Sequence, residues 1–329
     1  MPDDDRYEVM AAELLRALRG RRSQVAFSRR LGYRSNVAHT WETGKRWPTA
    51  AVTLRAARRV GVDLDAGLRR FTKFELAFLE HTDPATPEGV AALIVALRKE
   101  LPITEVARRS GASRFQVSRW LKGRAEPRLP ELLRVVDACT DRVLDFVAVL
   151  VDPAALPSVE GRWRQLEAAR QLFWRQPEAQ RVLLALDLVD YARLPAHDDG
   201  WLAERLGVPV TTVAAMLQAL SETGQIGWSR GRWSIREVHT VDTRRHPEAG
   251  LALKQFWASV AAERLDQGDA STSYNVFTVS EADLEQILAL YRATFTRLRA
   301  IVAGSTPSER VVLVQQHVVP LDGSAHPGA

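Results

Sequence analysis

The sequence predicts a mainly α-helical protein with four parts: two tandem helical units of one pattern, a helical unit that ends in a β-hairpin, and a C-terminal α/β unit. Three observations predict this arrangement. Residues 24–48 and 104–127 repeat each other, residues 226–235 alternate in polarity around a glycine, and two valine-rich runs flank an apolar helical stripe near the end of the chain. The predicted boundaries are 8–75, 86–152, 160–238 and 241–321, followed by a disordered tail at 322–329.

The internal repeat is visible when positions that demand a special backbone are aligned. Placing Gly32 on Gly111 also places Trp41 on Trp120, Gly44 on Gly123, and Pro48 on Pro127, and this pairing of positions is the repeat alignment. Glycine permits backbone angles that other residues avoid, whereas proline fixes φ. Matches at these residues therefore indicate shared turns and not merely shared composition. Each unit is therefore predicted to contain a helix, a tight turn at the first glycine, and a second helix that the second glycine ends.

The second unit shows the expected local signals most clearly. Thr104 and Ser113 are predicted N-caps of its two helices, and Pro127 or Pro130 is predicted to begin another helix that ends near Ala138. Apolar side chains at helical spacing predict a shared core made from Val106, Val117, Trp120, Leu133 and Val136. The tryptophans of both units fall on this apolar face, which favours core positions over exposed stacking platforms.

The third unit begins near Arg162. Residues 180–191 are apolar at helical spacing, and residues 201–224 predict a helix, a turn at Gly207 and a second helix that Thr211 caps. Residues 226–235 then predict a hairpin with Arg230 and Arg232 at its tip. Helices followed by a basic hairpin are the order of elements in a winged helix.

The fourth unit is predicted to be a β-α-β arrangement. A helix at Glu248–Leu265 precedes a strand at Tyr274–Val279, a helix at Glu281–Val302 capped by Ser280, and a strand at Glu309–Val319. Two strands leave open sheet edges, which either the rest of the chain or a second copy must cover, and we expect a second copy. The unit is alternatively expected to sense an unknown effector.

Charge is concentrated near the N-terminus. The chain has a net charge of +5 and a pI near 9.6, but residues 11–60 contain twelve basic and only two acidic residues. A segment this basic suits a polyanion, because neutralising phosphates releases counterions. The alternative is solvated surface charge in an arginine-rich composition.

Several classes of protein are disfavoured. Cys139 is the single cysteine, no Cys/His cluster has zinc spacing, and no phosphate-binding, metalloprotease or nucleophile-elbow motif is present. Neither a secretory signal nor an apolar run long enough to span a bilayer is visible. We therefore expect a cytoplasmic protein that is not an enzyme, binds no cofactor or metal, and has no membrane partner.

Segments 23–48 and 103–127 resemble the Cro and lambda-repressor class of helix-turn-helix, called the XRE family. The resemblance rests on Trp41-Glu42-x-Gly44-Lys45-Arg46-x-Pro48 and on Val117-Ser118-Arg119-Trp120-x-x-Gly123-Arg124-x-x-Pro127, and it extends through the helices that follow each motif. Ala38 departs from the pattern, because Ile or Val normally occupies this inward position. Residues from about 160 to 320 resemble, more loosely, an uncharacterised C-terminal domain of bacterial helix-turn-helix proteins, on the winged-helix pattern and Phe277-Thr-Val-Ser280.

The resemblance implies that the second helix of each unit enters the major groove, where base edges present a readable pattern of donors and acceptors. The implied base-contacting residues are Arg34, Ser35, Asn36, His39 and Thr40 in the first unit, and Ser113, Arg114, Phe115, Gln116, Ser118 and Arg119 in the second. Asn36 and Gln116 suit adenine, Arg114 suits guanine, and Phe115 suits a thymine methyl group. The implied phosphate contacts are Gln24, Thr104, Lys45, Arg46, Lys122 and Arg124.

Arg230 and Arg232 are expected either to reach a minor groove or phosphates, or to belong to a winged helix that binds protein or dimerises. The sequence as a whole predicts a sequence-specific DNA-binding transcriptional regulator that binds double-stranded DNA and acts as a homodimer. For the oligomeric state, the alternative is a monomer whose two tandem units occupy two half-sites. Three alternatives remain at this point. In the first, one helix-turn-helix unit keeps the fold without binding DNA. In the second, the folds instead hold a protein partner in a sensor or anti-repressor. In the third, the chain processes RNA, although it lacks an aromatic stacking motif.

Overall fold

The computed structural model describes residues 5–72, 76–236, 247–265, 267–268 and 270–322. Within these residues the chain forms 17 α-helices and a single two-stranded sheet, which confirms the prediction of a mainly α protein. It divides into two compact units, Met1–Glu167 and Ala168–Ala329. Each unit is described by itself.

The first unit contains two five-helix repeats. Repeat 1 consists of α1 (Asp5–Arg19), α2 (Gln24–Arg30), α3 (Val37–Glu42), α4 (Ala50–Arg59) and α5 (Leu64–Phe71). Repeat 2 consists of α6 (Pro87–Arg98), α7 (Ile103–Ser110), α8 (Arg114–Leu121), α9 (Leu129–Thr140) and α10 (Val143–Leu150). The repeat alignment carries α5 onto α10 along their full length and the first residue of α4 onto the first residue of α9. The internal repeat of the sequence is therefore also a repeat of structure.

Local capping explains where α7 and α8 begin. Ser113 caps α8 through a capping box with Gln116, as predicted: the Ser113 hydroxyl accepts from the Gln116 N–H, and the Gln116 side chain accepts from the Ser113 N–H. Thr104, in contrast, is not an N-cap. It lies inside α7, because the N-cap is Pro102. Pro102 has an extended ψ of 146°, and the Pro102 carbonyl accepts hydrogen bonds from the N–H groups of Glu105 and Val106.

Both repeats contribute to one continuous hydrophobic core. Repeat 1 buries Phe27, Trp41 and Leu54 in it, and repeat 2 buries Trp120 and Phe146. The two tryptophans are core residues, as the sequence predicted. At the inward position that departs from the family pattern, Ala38 is buried, and the ring of Tyr33 packs edge-on against Trp41 beside it with 5.7 Å between ring centroids.

The second unit begins within a long helix. It contains α11 (Glu160–Arg175, which crosses the division between the units), α12 (Glu178–Ala185), α13 (Val189–Arg193), α14 (Asp199–Leu206), α15 (Val210–Glu222), β1 (Ile226–Ser229) and β2 (Arg232–Ile235). The hairpin is confirmed: Ile226 pairs with Ile235, and Arg230 and Gly231 both take positive φ at the turn between the strands.

Two local predictions in this unit are wrong. The apolar pattern at 180–191 spans α12 and α13, since the chain turns at 186–188 between them. Thr211 does not cap α15, because the helix already begins at Val210 behind Pro209, whose ψ of 143° sets the entry of the chain.

The C-terminal part contains α16 (Pro247–Leu265) and α17 (Glu281–Ala303), and Ser280 caps α17 as predicted. The predicted strands at Tyr274–Val279 and Glu309–Val319 do not form, so the α/β assignment of this part is wrong. Their valine-rich sequences favour extended backbone, but a strand also needs a neighbour to complete its hydrogen-bond ladder, and neither run has one among the described residues. The boundary at 237–246 and the tail beyond 322 lie outside the described residues.

Candidate nucleic-acid interface

The second helix of each helix-turn-helix pair is anchored on one face only. In repeat 1, α3 packs beside α2 and buries Ala38 and Trp41. In repeat 2, α8 packs beside α7 and buries Val117 and Trp120 at the positions that the repeat alignment matches to them. The opposite face of each helix, including its first turn, is left to solvent.

The exposed face of α8 carries most of the predicted contact residues. Ser113, Arg114, Phe115, Gln116 and Arg119 are exposed and Ser118 is half-buried. Phe115 is 71% exposed, and the guanidinium carbon of Arg119 lies 5.7 Å from the centroid of its ring. This large apolar ring lies in solvent next to a cation and does not contribute to the core.

The matching surface of α3 is smaller and more polar. Arg34, Ser35, Asn36 and His39 are exposed, whereas Thr40 is half-buried and its hydroxyl donates to the Val37 carbonyl at 2.8 Å. Asn36 is the N-cap of α3, and its Oδ1 accepts from the His39 N–H at 3.4 Å. The sequence did not reveal this capping role. Because Oδ1 faces the helix backbone, the NH₂ group of the Asn36 side chain is directed away from it.

Two groups can be distinguished among the basic residues of the first unit. Arg19 pairs with Glu42, Arg55 donates to the Ala85 carbonyl, and Arg58 pairs with Asp83, so these three hold the fold together. The predicted phosphate contacts that follow the second helix of each pair form the other group, which consists of Lys45, Arg46, Lys122 and Arg124. All four side chains are exposed, and none makes a hydrogen bond or ion pair within the described residues. Only part of the local excess of positive charge is therefore paired within the fold.

Glu42 is a structural residue that the sequence did not reveal. It is buried at 6% exposure, where Arg19 Nε donates to its Oε1 at 2.6 Å and Gln24 Nε2 donates to its Oε2 at 2.9 Å. The side chain of Gln24, a predicted phosphate contact, is therefore oriented toward the end of α3. Thr104, predicted for the same role in repeat 2, is exposed on α7. The sequence signal for this buried contact would have been the combination of the acidic Glu42 with Gln24 at the start of the preceding helix.

The two arginines of the hairpin differ. Arg230 is exposed at the turn with a φ of 51°. Arg232 is half-buried, and its two terminal nitrogens donate to the carbonyls of Ala192 at 2.6 Å and Leu194 at 2.5 Å. The structure therefore uses Arg232 to fasten the hairpin, while Arg230 is presented to solvent.

A second cluster that the sequence did not reveal lies beside the hairpin. Tyr191 Oη lies 3.0 Å from Nδ1 of His197, and Nε2 of His197 lies 2.6 Å from Oδ1 of Asp199. Burial raises the pKa of the Tyr191 phenol above its ordinary value, against the smaller lowering effect of the Trp233 N–H that donates to it. A cavity of about 400 Å³ adjoins this cluster. Its lining includes His197, Asp199, Leu217, Gln218, Glu222 and Trp233.

The described part of the chain offers neither a membrane span nor a metal site. No helix there combines the length and the apolar character needed to cross a membrane. No group of three or more His, Cys, Asp or Glu residues there has an arrangement that fits a metal ion.

These features define a mainly helical protein in which α3 and α8, at equivalent positions of two structural repeats, each expose a face lined by polar and cationic side chains. Residues 159–321 match the family model described as Domain of unknown function (DUF4423). This range agrees with the region of about 160–320 in which the sequence resembles an uncharacterised domain. No curated protein and no solved structure matches the chain.

Proposed function

We propose that this protein is a sequence-specific DNA-binding transcriptional regulator that acts in the cytoplasm and contacts the major groove through α3 and α8. The observation that carries the proposal is the first turn of α8. There, Arg114 and Phe115 stand exposed, with Arg119 on the next turn, on a helix whose opposite face is fixed in the core by Val117 and Trp120. Side chains at the start of a rigidly packed helix are suited to contact base edges.

The surrounding cations support the same function. Lys45 and Arg46 follow α3, and Lys122 and Arg124 follow α8, at positions that the repeat aligns or nearly aligns. Exposed charges beside a base-reading helix are placed to contact phosphates, which fix register and orientation without specifying sequence. Under this proposal the helix starts supply specificity and the flanking cations supply affinity.

The test is binding of the full-length chain to duplexes selected from a randomised pool, measured by fluorescence anisotropy across a range of salt concentrations. We expect Arg114→Ala to weaken binding to the preferred site by about 1–3 kcal/mol and to relax the preference at one base position. Lys45→Ala should weaken binding to all duplexes and flatten the salt dependence by about one unit of slope. Arg164→Ala is the matched control, since it also removes one exposed arginine, from the first turns of α11.

A different outcome would favour the alternative function. If the wild-type chain binds DNA without sequence preference and without salt dependence, the two helix-turn-helix surfaces do not contact DNA. The protein would then be a module that uses these surfaces to hold a protein partner.

The proposal includes a homodimer formed through the C-terminal part. Apolar side chains of the two runs that flank α17 are exposed, among them Tyr274 at 90%, Val276 at 76% and Val312 at 69%. Exposed apolar patches of this kind mark interaction sites on soluble proteins. The effector predicted for the C-terminal half remains a prediction, and the cavity beside His197 is its candidate site.

A further inference from the structure

The contact between the two repeats is reciprocal. The N–H of Ala50, at the start of α4, donates to the Pro127 carbonyl at 2.9 Å, and the N–H of Leu129, at the start of α9, donates to the Pro48 carbonyl at 3.0 Å. The repeat alignment matches Ala50 to Leu129 and Pro48 to Pro127, so it exchanges the two hydrogen bonds. Thr49 and Arg128, which the alignment also exchanges, form the antiparallel bridge between them.

Equivalent helices also pack against each other. α5 and α10 are in contact, and the rings of Phe71 and Phe146 meet edge to face with centroids 5.7 Å apart. The approach is close at Gly67, where an added Cβ would lie 2.6 Å from Cγ1 of Val149. Contacts that the alignment exchanges reciprocally are those of a two-fold axis, since repeats related by translation use two different patches.

The contacts that α4 and α9 make with the first helix of the other repeat, or with the residues just before it, are also reciprocal. From α9, the Asp137 carboxylate accepts from the Tyr7 hydroxyl of α1 at 2.6 Å. From α4, Arg58, the residue aligned with Asp137, donates to Asp83 just before α6 at 2.7 Å. The residues differ, but each repeat uses the same helix position to hold the other repeat. Repeats 1 and 2 are therefore related by a pseudo-two-fold axis.

We propose, on the basis of the proposed function, that one chain acts as an internal pseudo-dimer and binds an imperfect inverted repeat in DNA. Repeat 1 contacts one half-site through α3, and repeat 2 contacts the other through α8. Two readers related by a two-fold axis match half-sites in inverted orientation, whereas readers related by translation match direct repeats. The half-site centres are expected about 10–10.5 base pairs apart, or a multiple of that distance.

The two half-sites must differ in sequence, because the aligned contact residues differ. The repeat alignment pairs Asn36 with Phe115 and His39 with Ser118, so a polar amide and an imidazole in repeat 1 correspond to an apolar ring and a hydroxyl in repeat 2. Amides suit adenine, whereas an exposed aromatic ring suits the thymine methyl group. An unequal site fixes the direction in which the chain lies on the DNA.

The experiment selects duplexes from a randomised pool with the full-length protein, and then repeats the selection with His39→Ala and with Arg114→Ala. Both side chains are exposed and neither is a helix cap, so the variants are expected to keep the thermal unfolding midpoint of the wild type. The expected wild-type site has two unequal inverted half-sites. Each variant should change base preference in one half only, and the two variants should affect opposite halves.

A matched duplex in which one half-site is reversed to give a direct repeat should bind at least tenfold more weakly. The inference is overturned if one variant changes both halves equally, because two chains would then be using the same repeat. It is also overturned if a direct repeat or a single half-site binds as tightly. Loss of all sequence preference and salt dependence in the wild type would instead refute the proposed function itself, so the two failures are distinguishable.

Discussion

At the residue scale, similar side chains serve different purposes according to the face of the helix they occupy. Trp120 is 4% exposed and anchors α8 in the core, whereas Phe115, five positions earlier on the same helix, is 71% exposed and contacts only Arg119 among the aromatic and cationic partners described. An aromatic ring in the core supports folding, whereas an exposed ring contributes little to it and is available for binding, as the proposed function requires of Phe115. The same division separates Arg19, which pairs with buried Glu42, from Arg114.

Two substitutions on α8 test this division. Phe115→Ala should change the free energy of unfolding by no more than about 0.5 kcal/mol, as for an ordinary surface position, and should weaken DNA binding. Trp120→Ala should lower the free energy of unfolding by about 3–5 kcal/mol, because it leaves a cavity in the core. Urea unfolding and anisotropy with the selected duplex measure both effects. If Phe115→Ala destabilises the fold as strongly as Trp120→Ala, the ring is a core residue.

Tyr7 predicts an alkaline dependence of stability. Burial, assisted by the hydrogen bond to Asp137, raises the pKa of the Tyr7 phenol from 10.0 to about 12. Since the folded state holds the proton more tightly, this contribution to stability is complete below pH 10 and is lost as the pH rises to about 12. Tyr7→Phe should remove that dependence and, at neutral pH, cost about 1–3 kcal/mol for a hydrogen bond to a charged group.

Chemical denaturation at pH 8 and pH 11 measures this difference. Tyr33→Phe is the matched control, since the Tyr33 hydroxyl makes no hydrogen bond within the described residues. An alkaline loss of stability of equal size in Tyr7→Phe and wild type would show that other groups cause it.

At the scale of elements, the sequence predicted helices better than their contacts. The glycine, tryptophan and proline spacings predicted α7, α8 and α9, and the alternation around a glycine at 226–235 predicted the hairpin, because turn and cap requirements are local. Among the N-caps predicted for the helix-turn-helix pairs, Ser113 is confirmed, whereas Thr104 and Thr211 lie within helices that begin after a proline. Strand formation at 274–279 and 309–319 was predicted wrongly, since pairing depends on a partner segment that the local sequence does not specify.

The candidate site was predictable only where a motif marked it. The exposed faces of α3 and α8 follow from the resemblance of two segments, but the buried carboxylate of Glu42 and the cluster of Tyr191, His197 and Asp199 do not. Glu42 meets Arg19 and Gln24 through tertiary packing, and the contacts of His197 depend on the local path of the chain, neither of which a periodicity in the sequence records. The reciprocal bonds between α4 and α9 were hidden for the same reason.

The close approach of α5 and α10 gives a prediction for this pair of helices. Gly67→Ala should lower the free energy of unfolding by about 1–3 kcal/mol, because its Cβ would lie 2.6 Å from Val149 and force the helices apart. Gly161→Ala is the matched control in α11, where nothing lies within 4 Å of the added Cβ and alanine favours the helix by up to about 1 kcal/mol. Thermal unfolding of both variants measures the contrast. Equal effects would mean that the interface between the repeats is loose.

At the scale of the whole molecule, the two units differ in how completely they bury their apolar residues. The first unit has one core shared by two repeats, whereas apolar residues of the C-terminal part, such as Tyr274, Val276 and Leu321, are largely exposed. The pseudo-two-fold axis relates two exposed helices, α3 and α8, within one chain. Under the proposed function, a homodimer through the C-terminal part would therefore join two complete DNA-binding units.

Light scattering at micromolar concentration tests that homodimer. The full-length chain should have twice the mass of 36.7 kDa, and a chain that ends at residue 240 should be monomeric while still binding the selected duplex. If the full-length protein is monomeric both with and without DNA, the apolar surface of the C-terminal part does not bind a second copy.

The most direct test of the central claim is affinity cleavage, which shows where each repeat lies on one duplex. In a chain whose single cysteine is removed by Cys139→Ser, Ser35→Cys and Ser113→Cys each place one exposed thiol at the start of α3 or α8 for attachment of iron-EDTA. On the selected duplex, the two conjugates are predicted to cut in opposite half-sites of the same site. Cleavage in the same half-site from both positions, or from only one of them, would contradict the account.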